Sequence, residues 1–240
     1  MIKFFRKIRQ NLLIENKTGK YLKYAIGEII LVVIGILIAL QINNLNEKNK
    51  LKIEEIKLLK EMRSALISDK EDVISNISEH SSAAKSCSIL INHISNKLPY
   101  NDSLDFQFAN ALNTTRFNHT SSPYETLKIK GPDLIENDSL RVMLGDYYDK
   151  WIGYQFELQK SSLQSFDLAK ERQFELFKSG RFWNKIAPID YDQLIKNNYY
   201  YSWLTYTLGQ RQWEGQMFKG LNEKNEQLIK LIDKEVKKNN

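Results

Sequence analysis

The most apolar stretch of the chain is IILVVIGILIALQI, residues 29–42, in which Gln41 is the one strongly polar side chain. Extending it back to Tyr24 and forward to Leu45 gives a span of about 20 residues, which as a helix crosses a hydrocarbon core of ~30 Å. Backbone amides in lipid must bond within their own segment, so the span must be helical. We therefore predict a transmembrane helix over residues 24–45.

Two other interpretations of this segment stay open. A cleaved signal peptide also has a basic start and a short apolar core, but no A-x-A cleavage pattern follows Ala39. A buried core helix of a soluble protein can carry an apolar run of this length. Basic flanks and apolarity on every side favour a bilayer, so we expect an uncleaved signal anchor.

The net charge of +6 lies in the arm before the span. Residues 1–24 carry seven Lys and Arg against one Glu, and the other 216 residues sum to zero. By the positive-inside rule, the arm is expected in the cytoplasm and the domain over residues 46–240 outside the cytoplasmic membrane. Because that domain is neutral, we expect no nucleic-acid binding.

The arm, residues 1–23, is predicted to lie on the membrane surface as a basic amphipathic helix. A cytoplasmic docking peptide for another protein is the alternative. The expected membrane-interface residues are Phe4, Phe5, Ile8, Lys20, Lys23, Tyr24 and Glu28. Glu28 either anchors the span at its cytoplasmic edge or makes a polar contact with a partner helix.

Small residues share one side of the span, where they would let a second helix approach closely. We predict a helix–helix contact, and through it a homodimer, at Gly27, Gly35 and Ala39.

Three segments resemble an uncharacterised bacterial family of small single-pass membrane proteins with a domain of unknown function. They are FFRKIRQNLL at 4–13, YAIGEIILVVIGILIALQINN at 24–44 and YETLKIKGPDLIENDSLR at 124–141. The family typically has Trp where this chain has Leu45. The resemblance implies an N-terminal anchor followed by a helical domain, and it brings no activity, substrate or catalytic residue.

Beyond the span, apolar residues recur with the period of a helix. From Leu45 to Leu98, eleven of sixteen positions at alternating steps of three and four are apolar, which predicts a long stalk helix that ends at Pro99. Polar intrusions cluster in its first half, so we expect tight packing to begin near Leu66.

Two more long helices complete the predicted bundle. One begins at Asn137-Asp138-Ser139, a good N-cap sequence, and the other spans residues 200–237. The stripe of the first is Leu140, Leu144, Tyr147, Trp151, Tyr154 and Leu158, continued by Leu163, Phe166, Phe174 and Phe177. Short helices are predicted over 103–113, 124–129 and 190–196. No stretch alternates as strands do, so the fold class is all-α, an antiparallel helical bundle.

The spacing of reactive residues indicates no catalytic, cofactor or metal site. His80, Cys87 and His93 lie seven and six residues apart on one predicted helix, about 10 Å, which is too far to share an ion. We expect a seam histidine and a buried thiol, or a Cys87 bridge between two parallel copies. Carboxylate pairs such as Glu54–Glu55 are expected on the surface.

The four tryptophans all lie between residues 151 and 213, among many tyrosines. Such a cluster suits core packing, a surface for a protein partner, or a small-ligand pocket. The candidate partner surface is Tyr199, Tyr200, Tyr201 and Trp203.

Three functions remain open at this point. We expect an interaction protein (scaffold, accessory subunit or adaptor) held at the bacterial cytoplasmic membrane, with no cofactor. A ligand-sensing ectodomain that acts through a signalling partner is the alternative, and an enzyme without a recognisable motif is the third.

Overall fold

The computed structural model describes residues 18–178 and 184–238. In this part of the chain the regular structure is helical, apart from one isolated bridge between Phe177 and Pro188. A 3-10 turn and a π-helical segment interrupt the α-helices at Pro132–Leu134 and Asp146–Ile152. The helices are α1 Thr18–Ser95, α2 Leu104–Ala111, α3 Ser122–Lys130, α4 Asp138–Gly145, α5 Gly153–Leu176, α6 Tyr191–Leu194 and α7 Asn198–Lys238. The predicted all-α fold with a long first helix is confirmed.

Two compact units, Met1–Glu54 and Glu55–Asn240, divide the chain within α1. In the first unit, α1 exposes its apolar side chains on every side. Its most apolar 18-residue window has a mean hydropathy of 2.6, and none of that window is buried. By length and composition this part of α1 is a candidate membrane span.

Helix α1 ends at Ser95, four residues before the predicted stop at Pro99. Lys97 adopts a left-handed conformation with φ of 49°. The Leu98 N–H donates to the carbonyl of His93 over 2.9 Å, and the Lys97 N–H donates to that of Ile94 over 3.2 Å. This is a Schellman cap, so the helix closes before the proline is reached.

In the second unit, α7 runs antiparallel to both α1 and the α4–α5 region. Salt bridges join Arg63 to Asp233 and Lys70 to Glu226, so residue numbers rise on one helix as they fall on the other. On the opposite flank, the guanidinium of Arg172 lies over the Tyr199 ring. The bundle is therefore antiparallel, as predicted.

Two clusters of buried apolar side chains form its core. The first includes Leu59, Leu66, Leu140, Tyr147, Leu221 and Leu228. The second includes Cys87, Leu90, Phe108, Phe177, Tyr200 and Leu204. The expectation that packing begins near Leu66 is wrong, because Leu58 is already buried against the first cluster.

Glu55 contributes to this earlier start. It was expected on the surface, but it is only 1% exposed and accepts a hydrogen bond from the Glu136 N–H over 3.0 Å. The loop before α4 thus packs against α1. The prediction failed because the partner lies 81 residues away in the sequence.

The second predicted stripe is correct up to the π-helical segment and again at its last member, Phe177, which is buried. The Asn137 side chain caps α4 by accepting from the Leu140 N–H, as expected. After the π-helical segment, however, Tyr154 is 46% and Phe174 is 58% exposed. A π turn inserts an extra residue and rotates the rest of the helix by about 100°. Polar and small residues consequently occupy the buried face of α5: Gln155, Ser162, Ala169 and Gln173.

Candidate functional site

A layer of buried polar side chains lies between the two hydrophobic clusters. Along α1, α5 and α7, the polar positions fall after the residues of one cluster and before those of the other. Each of these side chains is less than a tenth exposed: His80, Gln155, Ser162, Arg211 and Glu214. Buried polar groups are costly unless they find partners, so their contacts determine what the layer can do.

The charged groups of the layer form a chain of contacts. Arg211 Nη1 lies 3.4 Å from Glu214 Oε2, and Arg211 Nη2 donates to the Asn113 carbonyl over 2.6 Å. The same Oε2 lies 3.1 Å from His80 Nδ1. His80 Nε2 is hydrogen-bonded to the Thr115 hydroxyl over 3.0 Å. The loop before α3 is thus tied to both long helices.

Burial governs the ionisation of this layer. Desolvation, together with the charge of Arg211, lowers the pKa of His80 from 6.5 to about 3. The imidazole is therefore neutral at pH 7. Desolvation raises the pKa of Glu214, and Arg211 opposes that shift because its charge stabilises the carboxylate. The layer holds one cation, one carboxylate and one neutral imidazole.

Two buried nitrogen atoms of the layer make no well-aligned hydrogen bond, Arg211 Nε and His80 Nδ1. A small cavity of about 10 Å³, with room for one water molecule, adjoins both side chains. A larger groove of about 250 Å³ opens beside them between α1 and α7.

The groove has a basic and amide lining. Its described residues include the cations Arg211 and Lys219, the amides Gln212 and Gln216, and the Ser81 hydroxyl, with no carboxylate among them. Such groups donate hydrogen bonds, and two of them carry positive charge. The groove can therefore hold a molecule that accepts hydrogen bonds.

The predicted membrane-interface residues fall only partly within the described chain. Phe4, Phe5 and Ile8 lie outside it, and Lys20 belongs to the first turn of α1. Lys23 and Tyr24 are exposed and Glu28 is partly exposed. Their contact with lipid stays a prediction.

The candidate helix–helix contact lies on an open face of α1. A Cβ atom added at Gly27 or Gly35 would meet no heavy atom within 4 Å, and Ala39 is exposed. The face has room for a close-packed second helix, and the contact stays a prediction.

The four aromatic residues of the candidate partner surface do not form one surface. Tyr200 is 2% and Trp203 is 9% exposed, because both face the second hydrophobic cluster. Tyr199 and Tyr201 remain exposed on other sides of α7. The core-packing interpretation is correct for the first pair.

The histidine and cysteine of the α1 seam are buried, as expected. Cys87 is fully buried, and desolvation raises the pKa of its thiol to about 11. Within the described ranges, no group of three His, Cys, Asp or Glu side chains is placed to hold a metal ion.

Arg211 and Glu214, the charged pair of the layer, were not predicted from the sequence. A signal was present, because Arg211 falls in the apolar stripe of α7 between Leu208 and Phe218. A single charged residue in an apolar stripe is usually exposed to solvent. That Arg211 is buried becomes visible only when α7 is packed against His80 and α5.

These features define a helical protein that has, among its described residues, one candidate membrane-spanning helix and a bundle whose core contains a buried polar layer. Residues 28–186 match the family of unknown function DUF6090, and the chain belongs to that family. No curated protein and no solved structure matches the chain.

Proposed function

We propose that this chain is a single-pass protein of the bacterial cytoplasmic membrane. Its N-terminus would lie in the cytoplasm and its bundle outside. The exposed apolar side chains of α1 support the anchor, and the excess of Lys and Arg in residues 1–24 supports the orientation. A periplasmic-active reporter fused after Asn240 tests this topology, and activity of a cytoplasm-specific reporter at the same site would contradict it.

The role that we propose for the bundle is protein interaction, as a scaffold or accessory subunit without catalysis. A row of exposed aromatic side chains on α7 carries this proposal. Tyr199, Tyr206 and Trp213 are 41%, 56% and 50% exposed and lie seven residues apart, so they share one face of the helix at intervals of ~10 Å. Tyr and Trp are the residue types most enriched at the energetic centres of protein interfaces.

The charge around this row indicates the kind of partner. Residues 198–210 contain no Asp, Glu, Lys or Arg, although these residues make up 27% of the chain. The Arg172 guanidinium lies over the Tyr199 ring at the start of the row, whereas the stretch around Tyr206 is uncharged and costs little to desolvate against another uncharged face. The occupant we propose is a second membrane or extracytoplasmic protein with an uncharged docking surface.

Site-specific photo-crosslinking in intact cells tests this role. A photoreactive phenylalanine at Tyr206 should form one defined adduct, and Trp213→Ser should abolish that adduct without lowering the amount of protein. The matched control places the same group at Glu71, an exposed position on α1. No adduct at Tyr206, or an adduct that is unchanged by Trp213→Ser, would refute the interaction. An adduct of twice the chain mass would instead identify a homodimer.

The polar layer supports a second candidate function, ligand sensing. A groove of about 250 Å³ adjoins a buried Arg211 whose Nε lacks a hydrogen-bond partner, and the groove lies between the two longest helices. A ligand there would contact both α1 and α7, so it would favour one arrangement of these helices over another. Thermal unfolding of the full chain in detergent should then shift with ligand concentration, by ~2.7 kcal/mol at a hundred times Kd.

A further inference from the structure

The groove between α1 and α7 combines three properties of a ligand site. It is concave, its floor includes buried charged and polar groups, and parts of its wall are apolar. The apolar part comes from Ile77 and Ala84 on α1. Small-molecule sites are typically built this way, with a few polar groups that fix orientation on an otherwise apolar surface.

Arg211 is the buried cation in the lining of the groove. It is 4% exposed, and its Nε–H has no acceptor. A buried donor that is left unsatisfied loses the hydrogen bond that it made to water in the unfolded chain. A carboxylate oxygen in the groove would supply an acceptor with the charge that a guanidinium prefers.

Lys219 adds a second cation at the exposed edge of the groove. The lining contains no acidic side chain, and Glu214, which pairs with Arg211, lines the smaller cavity instead. The cationic lining attracts an anion, and Ile77 and Ala84 favour one with a hydrocarbon part.

We propose that this groove binds a small organic carboxylate. The carboxylate accepts from Arg211 Nε and pairs with Lys219, and its carbon chain contacts Ile77 and Ala84. This inference rests on the ligand-sensing candidate and is independent of the interaction role.

Gly215 lines the groove and has no side chain to fill it. A Cβ atom added there would meet only the Cβ of His80, at 3.6 Å, which is an ordinary contact. Because Gly215 lines the groove, we expect a larger side chain at this position to fill it. Gly209 on the same helix is the matched control, because its added Cβ would meet nothing within 4 Å.

Calorimetric titration of the full chain in detergent micelles tests the proposal with succinate, its neutral isostere succinamide, and inorganic phosphate. We expect saturable binding of succinate alone. Gly215→Leu should abolish that binding, whereas Gly209→Leu should leave it unchanged. Lys219→Gln should raise Kd by about tenfold, the loss of one charge-assisted hydrogen bond, and Lys230→Gln, at an exposed lysine further along α7, should not.

Each of the following outcomes would contradict one part of the proposal. No saturable binding of succinate, or equal binding by Gly215→Leu protein with an unchanged circular dichroism spectrum, would overturn the site. Equal affinity for succinamide, or tighter binding of phosphate, would overturn the carboxylate class while leaving ligand sensing intact. The cross-link at Tyr206 reports the interaction role separately.

Discussion

Replacing His80 with Gln tests whether the buried layer holds a neutral imidazole. In the unfolded chain this histidine takes up a proton below pH ~6.5, whereas in the folded protein its pKa is lowered to about 3. Its contribution to stability is therefore present above pH 6.5 and is lost as the pH falls towards 3. Between these limits the free energy of unfolding should fall by up to ~1.4 kcal/mol per pH unit. At pH 5 the loss amounts to ~2 kcal/mol.

Tryptophan fluorescence is the right signal for this measurement. All four tryptophans lie between residues 151 and 213, so urea unfolding of the full chain in detergent reports the bundle and not the membrane span. The free energy of unfolding is measured at pH 8 and pH 5 for the wild type and for His80→Gln. Groups that do not contact His80 titrate equally in both proteins, so the difference between the proteins reports His80 together with its neighbour Glu214. His119→Gln is the control, since it removes a histidine outside the layer.

The variant should be less pH-sensitive than the wild type by ~2 kcal/mol over this interval. An equal pH dependence in the two proteins would show that the folded imidazole accepts a proton. Glu214 would be the cause of such a result, because its carboxylate lies 3.1 Å from Nδ1 and favours the imidazolium. That outcome would refute the neutral imidazole. It would also show that the effect of the nearby carboxylate on the pKa of His80 outweighs that of desolvation.

Two further predictions concern the packing of α7. Glu214→Met should lower the free energy of unfolding by ~3–5 kcal/mol, because it leaves Arg211 buried without its carboxylate, while adding Arg211→Met should recover most of that loss. Additive losses in urea unfolding would contradict this coupling. Gly220→Ala should destabilise by about 1 kcal/mol, since its Cβ would lie 2.9 Å from the Trp151 ring and overpacking outweighs the helix propensity of Ala. Gly209→Ala, with open space around it, should stabilise by up to ~1 kcal/mol, and the opposite ranking of the two thermal midpoints would refute the argument.

The parts of the fold that could be predicted from the sequence depend on neighbours within a few turns. Apolar residues at steps of three and four predicted α1 and α7, and the Asn137 cap predicted the start of α4. The π-helical segment could not be predicted this way. It places Tyr147, Tyr148 and Ile152 in the core, and the buried face of α5 that follows it differs from the straight extrapolation.

The candidate site was harder to predict, because it forms only when three helices are aligned. His80, Gln155 and Arg211 are each separated from the next by more than fifty residues in sequence. Taken alone, each is only a polar residue in a helical segment. Glu55 shows the same limit, since its partner is a backbone amide in a distant loop. The aromatic row differs again. Tyr206 and Trp213 belong to the aromatic cluster that the sequence shows. Only the structure reveals that these two side chains are exposed whereas Trp203 is buried.

The polar layer also bears on the alignment of α1 with α7. Apolar stripes repeat every seven residues, so a shift of one helix by two turns would keep most apolar contacts. Such a shift would move Glu214 from His80 to the level of Val73 or Cys87, both fully buried. Arg211 would move with Glu214, and the buried pair would lose its contacts to His80 and to the Asn113 carbonyl. A buried ion pair without its further polar partners costs several kcal/mol, so the shifted alignment is strongly disfavoured. The polar layer thus selects one register for α1 and α7. That register in turn determines which residues face the groove.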